Sequence, residues 1–191
     1  LVESPTGGSK ICVIPTGETR FLYTIDTDNQ EENERRILAV VEGNKKILVV
    51  RVIAFGGTST ANEDELALNV FDDSVNVAKQ YKACSHGKLN VIKATKRANT
   101  NNNADNGETS VKNGVTTVKV SSPTGPSNDR NRHTVMREAI TVRLKENFGT
   151  DARNLADHVM YCLPAGTMDG IAYAYINHWL SIYSDEWCNY V

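Results

Sequence analysis

The stretch ILVVRVIAF at 47–55 decides the fold class, because it is an almost continuous run of β-branched and other apolar residues. Such a run is typical of a strand buried on both faces, as the strands of parallel sheets are. Two further runs, LNVIKA at 89–94 and GVTTVKVSS at 114–122, predict strands of the same sheet. We therefore expect an α/β (α+β) domain that begins near Lys46.

Two amphipathic helices are predicted, one between the first two of these strands and one after the third. Thr60 and Glu63 have the spacing of a capping box and would open the first helix. The apolar residues that fall close to one face of this helix are Leu66, Val70, Val77, Ala78 and Tyr81. The second helix covers about 131–148, where Met136, Ile140, Leu144 and Phe148 repeat every four residues. Right-handed crossovers predict that both helices lie on one face of a twisted mixed sheet.

The C-terminal segment predicts more strands and the start of another helix. LADHVMYCLP at 155–164 is typical of a strand, and IAYAYINHWLSIY at 171–183 of an alternating strand pair. Ser184 is a typical N-cap, and the acidic Asp185 follows it in the first turn, where the helix dipole favours negative charge. We expect this helix to continue beyond Val191.

Several of these stretches carry a resemblance to a known family. HVMYCLPAGT at 158–167 and AYAYINHWLSIYSDEWC at 172–188 resemble the segment before the zinc-binding helix of gametolysin-like peptidases. These are secreted metzincin-type metalloendopeptidases that digest extracellular matrix and cell-wall glycoproteins. The stretches at 47–55 and 80–94 resemble earlier strands of the same family. The resemblance implies a metzincin-like N-terminal subdomain over 46–191, truncated at the start of the zinc helix.

The resemblance also implies zinc as the cofactor of a parent protein, with a protein or glycoprotein as substrate. Zinc peptidases of this type take two ligands and the general base from an HExxH helix. None of the chain's histidines, His86, His133, His158 and His178, lies in such a motif. We therefore assign no catalytic or metal-binding residue to the chain and expect it to be inactive alone. The alternatives are a non-catalytic docking subunit of a larger assembly and an unrelated α/β binding domain.

Substrate binding is expected at an edge strand, because in this family the strand before the zinc helix pairs with substrate backbone. The resemblance places that strand within Gly166–Ile176. The predicted substrate-binding residues are Ala172, Tyr173, Tyr175 and His178. Structural packing is the alternative interpretation of the aromatic side chains and of His178.

The cysteines Cys12, Cys84, Cys162 and Cys188 are spaced too widely for a CxxC metal site. An even number of scattered cysteines favours two disulfides in an oxidising compartment, with three pairings open. Buried free thiols in a reducing compartment are the alternative. With the resemblance, this pattern predicts an extracellular or secretory-pathway protein.

Composition narrows the remaining possibilities. The chain has 191 residues and a formal net charge of −2, which does not favour a nucleic-acid partner. No apolar run reaches the roughly 18–20 residues that span a bilayer.

Residues 1–45 are predicted to be an N-terminal extension: the end of a propeptide that could carry Cys12 as a zinc-blocking thiol, a strand pair, or a small subdomain. Trp187 and Val191 predict an apolar C-terminal face that further polypeptide or a larger assembly covers.

Overall fold

The computed structural model describes residues 42–95, 110–124, 132–168, 170–175 and 178–188. These residues form a mixed α/β fold around a seven-stranded mixed sheet, which confirms the predicted α/β (α+β) class, while the metzincin-like subdomain stays a prediction. The extension predicted over 1–45 lies almost entirely outside the described ranges, and so does Cys12.

The elements follow the order predicted from the sequence, but the first helix, α1, and the last helix, α4, are short. The strands are β1 (Gly43–Phe55), β2 (Gly57–Thr58), β3 (Leu89–Lys93), β4 (Val115–Pro123), β5 (His158–Cys162), β6 (Ala172–Ala174) and β7 (Leu180–Tyr183). The helices are α1 (Glu63–Ala67), α2 (Val77–Cys84), α3 (Arg132–Phe148) and α4 (Asp185–Cys188). A π-helical turn at Leu68–Asp72 follows α1, and a 3-10 turn at Ala152–Asn154 precedes β5.

The long strand β1 organises the sheet. One side of it pairs in parallel with β3 along Gly43–Ile47 and with β4 along Val49–Phe55. Its other side pairs in parallel with β5, which pairs in parallel with β7. The short strands β2 and β6 are antiparallel to their neighbours, and β6 ends the sheet beyond β7.

The two faces of β1 pack against different helices. Leu48, Val50 and Val52 belong to a buried cluster that contains the four-residue repeat of α3, from Met136 to Phe148. The alternate residues Ile47 and Val49 belong to a second buried cluster, and its helical members are Leu66, Ala67, Val70, Phe71, Val77 and Cys188. Because side chains alternate across a strand, α3 lies on one face of the sheet, and α1, α2 and α4 lie on the other. The prediction of both helices on one face is therefore wrong.

The predicted capping box at Thr60 and Glu63 is also wrong by two residues. Asn62 caps α1 by accepting from the backbone N–H of Asp64 and Glu65, and the Glu65 carboxylate accepts from the Asn62 N–H in return. Thr60 lies before this cap and uses its hydrogen bonds elsewhere. The single helix predicted here is divided, because the π-helical turn ends at Asp72 and α2 begins only at Val77.

Candidate substrate-binding edge of the sheet

The edge strand β6 lies inside the range predicted from the family resemblance. It pairs only with β7 among the described residues, with Ala172 opposite Tyr183 and Ala174 opposite Ser181. The Ser184 N–H donates to the Ile171 carbonyl at 2.9 Å. In an antiparallel pair every second residue forms backbone hydrogen bonds with the partner strand, so Ile171 and Tyr173 are the residues that bond toward β7. The backbone groups of Ala172 and Ala174 therefore point to the outer edge.

The side chains of β6 divide between the two faces of the sheet. Ala172 and Ala174 are exposed and lie on the same face as their partners Tyr183 and Ser181. This is the face that carries α4, because Tyr183 packs with the cluster that contains Cys188. Tyr173 packs on the opposite face, against the cluster that contains α3. The structure thus separates Ala172 from the other predicted substrate-binding residues.

Tyr173, Tyr175 and His178 form one aromatic cluster on the α3 face. The rings of Tyr173 and Tyr175 meet edge-on with centroids 5.7 Å apart, and Tyr175 and His178 meet edge-on at 5.4 Å. Arg137 of α3 donates to the Tyr175 hydroxyl, and its guanidinium lies 5.6 Å from the centroid of the same ring. Cation–π and ring contacts of this kind stabilise an aromatic layer beneath the edge strand.

Burial shifts the ionisation of this cluster toward neutral forms. Desolvation and, to a lesser extent, the neighbouring Tyr175 raise the pKa of Tyr173 to about 12. Desolvation also lowers the pKa of His178, with a smaller contribution from the positive charge of Arg137. Both rings are therefore uncharged near neutral pH, which fits a packing role under β6.

A cleft of about 700 Å³ opens beside this cluster on the α3 face. Its lining includes Arg137, Thr141, Tyr175, His178 and Trp179. A second cleft of about 650 Å³ lies on the α1 face, where Arg51, Glu63 and Lys112 contribute to its lining. Neither cleft is lined by Ala172 or Ala174, so the outer edge of β6 is a separate surface.

The start of α4 is held by contacts that the sequence did not indicate. The Asp185 carboxylate accepts from the Thr60 N–H at 2.6 Å and from the Thr60 hydroxyl. The neighbouring Ser59 hydroxyl donates to the Cys162 carbonyl at 2.8 Å. Arg51 of β1 orders this loop by donating to the Ser59 and Ala61 carbonyls.

A disulfide joins the end of β5 to α4. Cys162 and Cys188 are bonded with their Cα atoms 5.8 Å apart, and both residues are buried. None of the described cysteines carries a free thiol. A buried disulfide fits the oxidising compartment predicted from the cysteine pattern.

His158 lies at the centre of the sheet and not at its edge. It begins β5, which lies between β1 and β7, and it is 1% exposed. Its Nε2 atom lies 2.8 Å from the Ser181 hydroxyl. Burial and, to a lesser extent, His178 lower the pKa of His158 to about 4. The histidine is therefore a neutral member of the core at physiological pH.

The described residues do not offer a zinc site. No group of three or more histidine, cysteine, aspartate or glutamate side chains among them could hold a metal ion. His158 is buried against Ser181, and His178 is packed against Tyr175 and Trp179. None of the helices in the described part of the chain is long and apolar enough to cross a membrane.

Comparisons of the chain with protein-family models, curated proteins and solved structures give no significant match. The resemblance to gametolysin-like peptidases therefore stays a prediction from the quoted residues. The geometry of β6 and α4 is the structural basis on which a function can be argued.

Proposed function

We propose that the chain is the N-terminal part of the catalytic domain of a secreted zinc metalloendopeptidase. The substrates are extracellular-matrix or cell-wall glycoproteins, as the family resemblance implies. The 191 residues contain no HExxH motif and are inactive alone. In this proposal the zinc ligands and the general base belong to polypeptide that continues the helix begun at α4.

The observation that carries the proposal is the outer edge of β6 beside the start of α4, because no other strand of the described residues pairs with this edge. An edge strand binds an extended peptide through main-chain hydrogen bonds, and the side chains set the specificity. Ala172 and Ala174 direct their N–H and C=O groups outward, and their methyl side chains leave the α4 face of the edge open. Ala172 lies opposite Tyr183, and α4 begins two residues later, so an extended substrate that pairs with β6 lies one strand away from the start of this helix.

The anchoring of α4 supports the same proposal. Two independent constraints, the Thr60 hydrogen bonds to Asp185 and the disulfide from Cys162 to Cys188, hold a helix of only four residues. A catalytic helix must be positioned to within about 0.5 Å relative to the substrate strand. The chain's own contribution to catalysis is therefore positional: β6 binds and orients the peptide, and Asp185 and Cys188 orient the helix.

The test begins with the intact mass and the C-terminal peptides of the natural protein. The proposal expects a mass well above 21.0 kDa and an HExxH peptide after Val191. It also expects one bound zinc per chain and cleavage of a matrix protein such as gelatin that a chelator abolishes. A protein without HExxH and without bound zinc would contradict the proposal. Such a protein would be the non-catalytic docking subunit.

A further inference from the structure

The cleft on the α3 face combines aromatic rings with one pair of opposite charges. Its volume of about 700 Å³ is within the range of roughly 300–1,000 Å³ that is typical of small-molecule sites. We infer that this cleft binds a neutral carbohydrate, which stacks a sugar ring on the aromatic side chains and forms hydrogen bonds with a charged pair of α3. The lining residues that carry this inference are Arg137, Glu138, Tyr175, His178 and Trp179.

Three rings form the aromatic part of the lining. Tyr175 meets His178 edge-on at a centroid distance of 5.4 Å, and His178 meets Trp179 at 5.1 Å with the ring planes 34° apart. Tyr175 is 44% exposed, so much of its ring is open to a ligand. The faces of aromatic rings carry partial negative charge. They therefore attract the C–H groups on one face of a sugar ring, which carry partial positive charge because their carbons are bonded to oxygen.

The polar part of the lining matches sugar hydroxyl groups. Arg137 Nη2 lies 3.4 Å from Glu138 Oε1, and the two side chains are 22% and 66% exposed. A guanidinium only donates hydrogen bonds and a carboxylate only accepts them, whereas a hydroxyl group does both. Two adjacent hydroxyls of one sugar can therefore accept from Arg137 and donate to Glu138. Hydrogen bonds to charged groups are among the stronger ones.

The hydroxyl of Thr141, which also lines the cleft, is already used within the protein. It donates to the Arg137 carbonyl at 2.8 Å and lies 3.0 Å from the Tyr161 hydroxyl oxygen. These contacts connect the backbone of Arg137 to the buried core. The carbohydrate therefore meets a pair of charged side chains whose helix is held in place before the ligand arrives.

The charges of the lining favour a neutral ligand. An anion that approaches Arg137 also meets the Glu138 carboxylate, and a cation that approaches Glu138 also meets the guanidinium. His178 adds no charge near neutral pH, because desolvation lowers its pKa. A purely apolar ligand would displace water from both charged groups without replacing its hydrogen bonds, which is costly. A neutral ligand with many hydroxyls and one apolar face meets all of these conditions.

Isothermal titration of the natural protein with three neutral trisaccharides tests the inference. The probes are cellotriose, maltotriose and chitotriose, each used up to about 10 mM, where a ligand with a Kd of about 1 mM is mostly bound. We expect saturable binding of at least one of them. Tyr175→Ala and Glu138→Ala should each weaken this binding roughly 3- to 10-fold, through the lost ring and the lost acceptor. Tyr175→Phe keeps the ring and should bind more tightly than Tyr175→Ala.

Phe55→Ala is the matched control. Phe55 is an aromatic residue that is 74% exposed and lines neither of the two clefts described above, so its loss should leave the affinity unchanged. Thermal denaturation shows that each variant is folded before it is titrated. Glu138→Ala changes an exposed side chain of α3, so the test still holds if Tyr175→Ala does not fold.

Three results would overturn the inference. The first is the lack of saturable binding for all three trisaccharides. The second is an affinity that neither Tyr175→Ala nor Glu138→Ala changes, which would place the sugar elsewhere on the natural protein. The third is tighter binding of the anionic trigalacturonate or of the apolar ring compound p-cresol, because the cleft would then select for charge or for apolar surface. The readout is binding alone, so the inference stands or falls separately from the proposed peptidase function.

Discussion

The Asp185 carboxylate accepts a hydrogen bond of 2.6 Å from the backbone N–H of Thr60, which lies 125 residues earlier in the chain. The Thr60 hydroxyl donates to the other carboxylate oxygen, and Asp185 is 6% exposed. One carboxylate therefore satisfies two donors and joins the loop before α1 to the first turn of α4. No local pattern in either segment indicates the other.

Replacement of Asp185 by alanine should lower the free energy of unfolding by about 1–3 kcal/mol, because it leaves two Thr60 donors without their acceptor. Urea denaturation measures this difference. Asp185→Asn should cost less, since its amide oxygen can still accept from the Thr60 N–H. Asp64→Ala is the matched surface control and should change stability by less than about 1 kcal/mol, because its ion pair with Lys112 is exposed. Equal losses for Asp185→Ala and Asp64→Ala would contradict the prediction.

Loss of the disulfide from Cys162 to Cys188 should destabilise the protein by about 2–4 kcal/mol, since the bond closes a loop with a sequence separation of 26. The double variant Cys162→Ala and Cys188→Ala, compared with wild type under oxidising conditions, isolates this contribution. Amide exchange should also accelerate in α4 and less in α3, which lies on the other face of the sheet. Unchanged exchange in α4 would mean that the Thr60 contact alone holds it.

His158 should make the protein less stable as the pH falls from about 6.5 to about 4. Its pKa is about 4 in the folded protein and about 6.5 in the unfolded chain, so over this range only the unfolded chain takes up the proton. The stabilisation is fully present above pH 6.5, and its loss amounts to about 3 kcal/mol once the pH reaches 4. Denaturation of wild type and His158→Gln across this range gives the free energy of unfolding as a function of pH. The difference between the two slopes is the contribution of His158.

The carboxylates also titrate in that range, and the comparison of the two proteins removes their common contribution. His86→Gln is the matched control, because His86 is exposed on a turn. It should keep the wild-type slope. A wild-type slope in His158→Gln would show that His158 does not remain neutral in the folded protein.

Gly114→Ala should destabilise the protein much more than Gly43→Ala. Both glycines have a φ of +84°, so an added methyl group costs about 1–2 kcal/mol of backbone strain at either position. At Gly114 the new Cβ would also lie 2.7 Å from the Phe71 ring, whereas at Gly43 nothing lies within 4 Å. Overpacking of this kind adds about 1–3 kcal/mol. Equal effects in thermal or urea denaturation would contradict the packing argument.

Ala174→Pro should leave the fold intact but weaken peptide binding at β6. The Ala174 N–H points to the outer edge, where proline removes no bond to β7 and is tolerated. If the proposed function holds, a paired peptide loses that bond, which corresponds to about 0.5–1.5 kcal/mol, or roughly a 2- to 10-fold fall in kcat/KM of the parent protein. Ala174→Ser keeps the N–H and is the control. An unchanged kcat/KM in Ala174→Pro would place the substrate elsewhere.

The periodic elements were predictable because their signals are local. The four-residue repeat from Met136 to Phe148 predicted α3, and all four of its apolar residues are buried. The apolar run at 47–55 predicted a strand covered on both faces, and β1 is covered on both. Ser184 correctly marked the start of α4. The side-chain repeat is 3.6 residues in a helix and two in a strand, so a few neighbouring residues are enough to reveal it.

The functional arrangement was less predictable. Of the predicted substrate-binding residues, Ala172 and Tyr173 lie on opposite faces of the sheet because adjacent strand residues point in opposite directions. Thr60 was expected to cap α1, but Asn62 competes for the same helix end and is in register with Glu65. The central position of His158 had no signal in the sequence, because it depends on the pairing of β5 with both β1 and β7.

The sequence by itself thus determined which segments are strands and helices, where most of them begin, and which of their residues are buried. The tertiary structure alone decided that α3 lies opposite α1 and α4, and that Thr60 binds Asp185. It also decided that, within the described ranges, β6 pairs on one side only. The physical reason is the separation along the sequence. Periodicity and capping are set by residues a few positions apart, whereas strand order and buried polar contacts depend on distant segments that only the folded chain brings together.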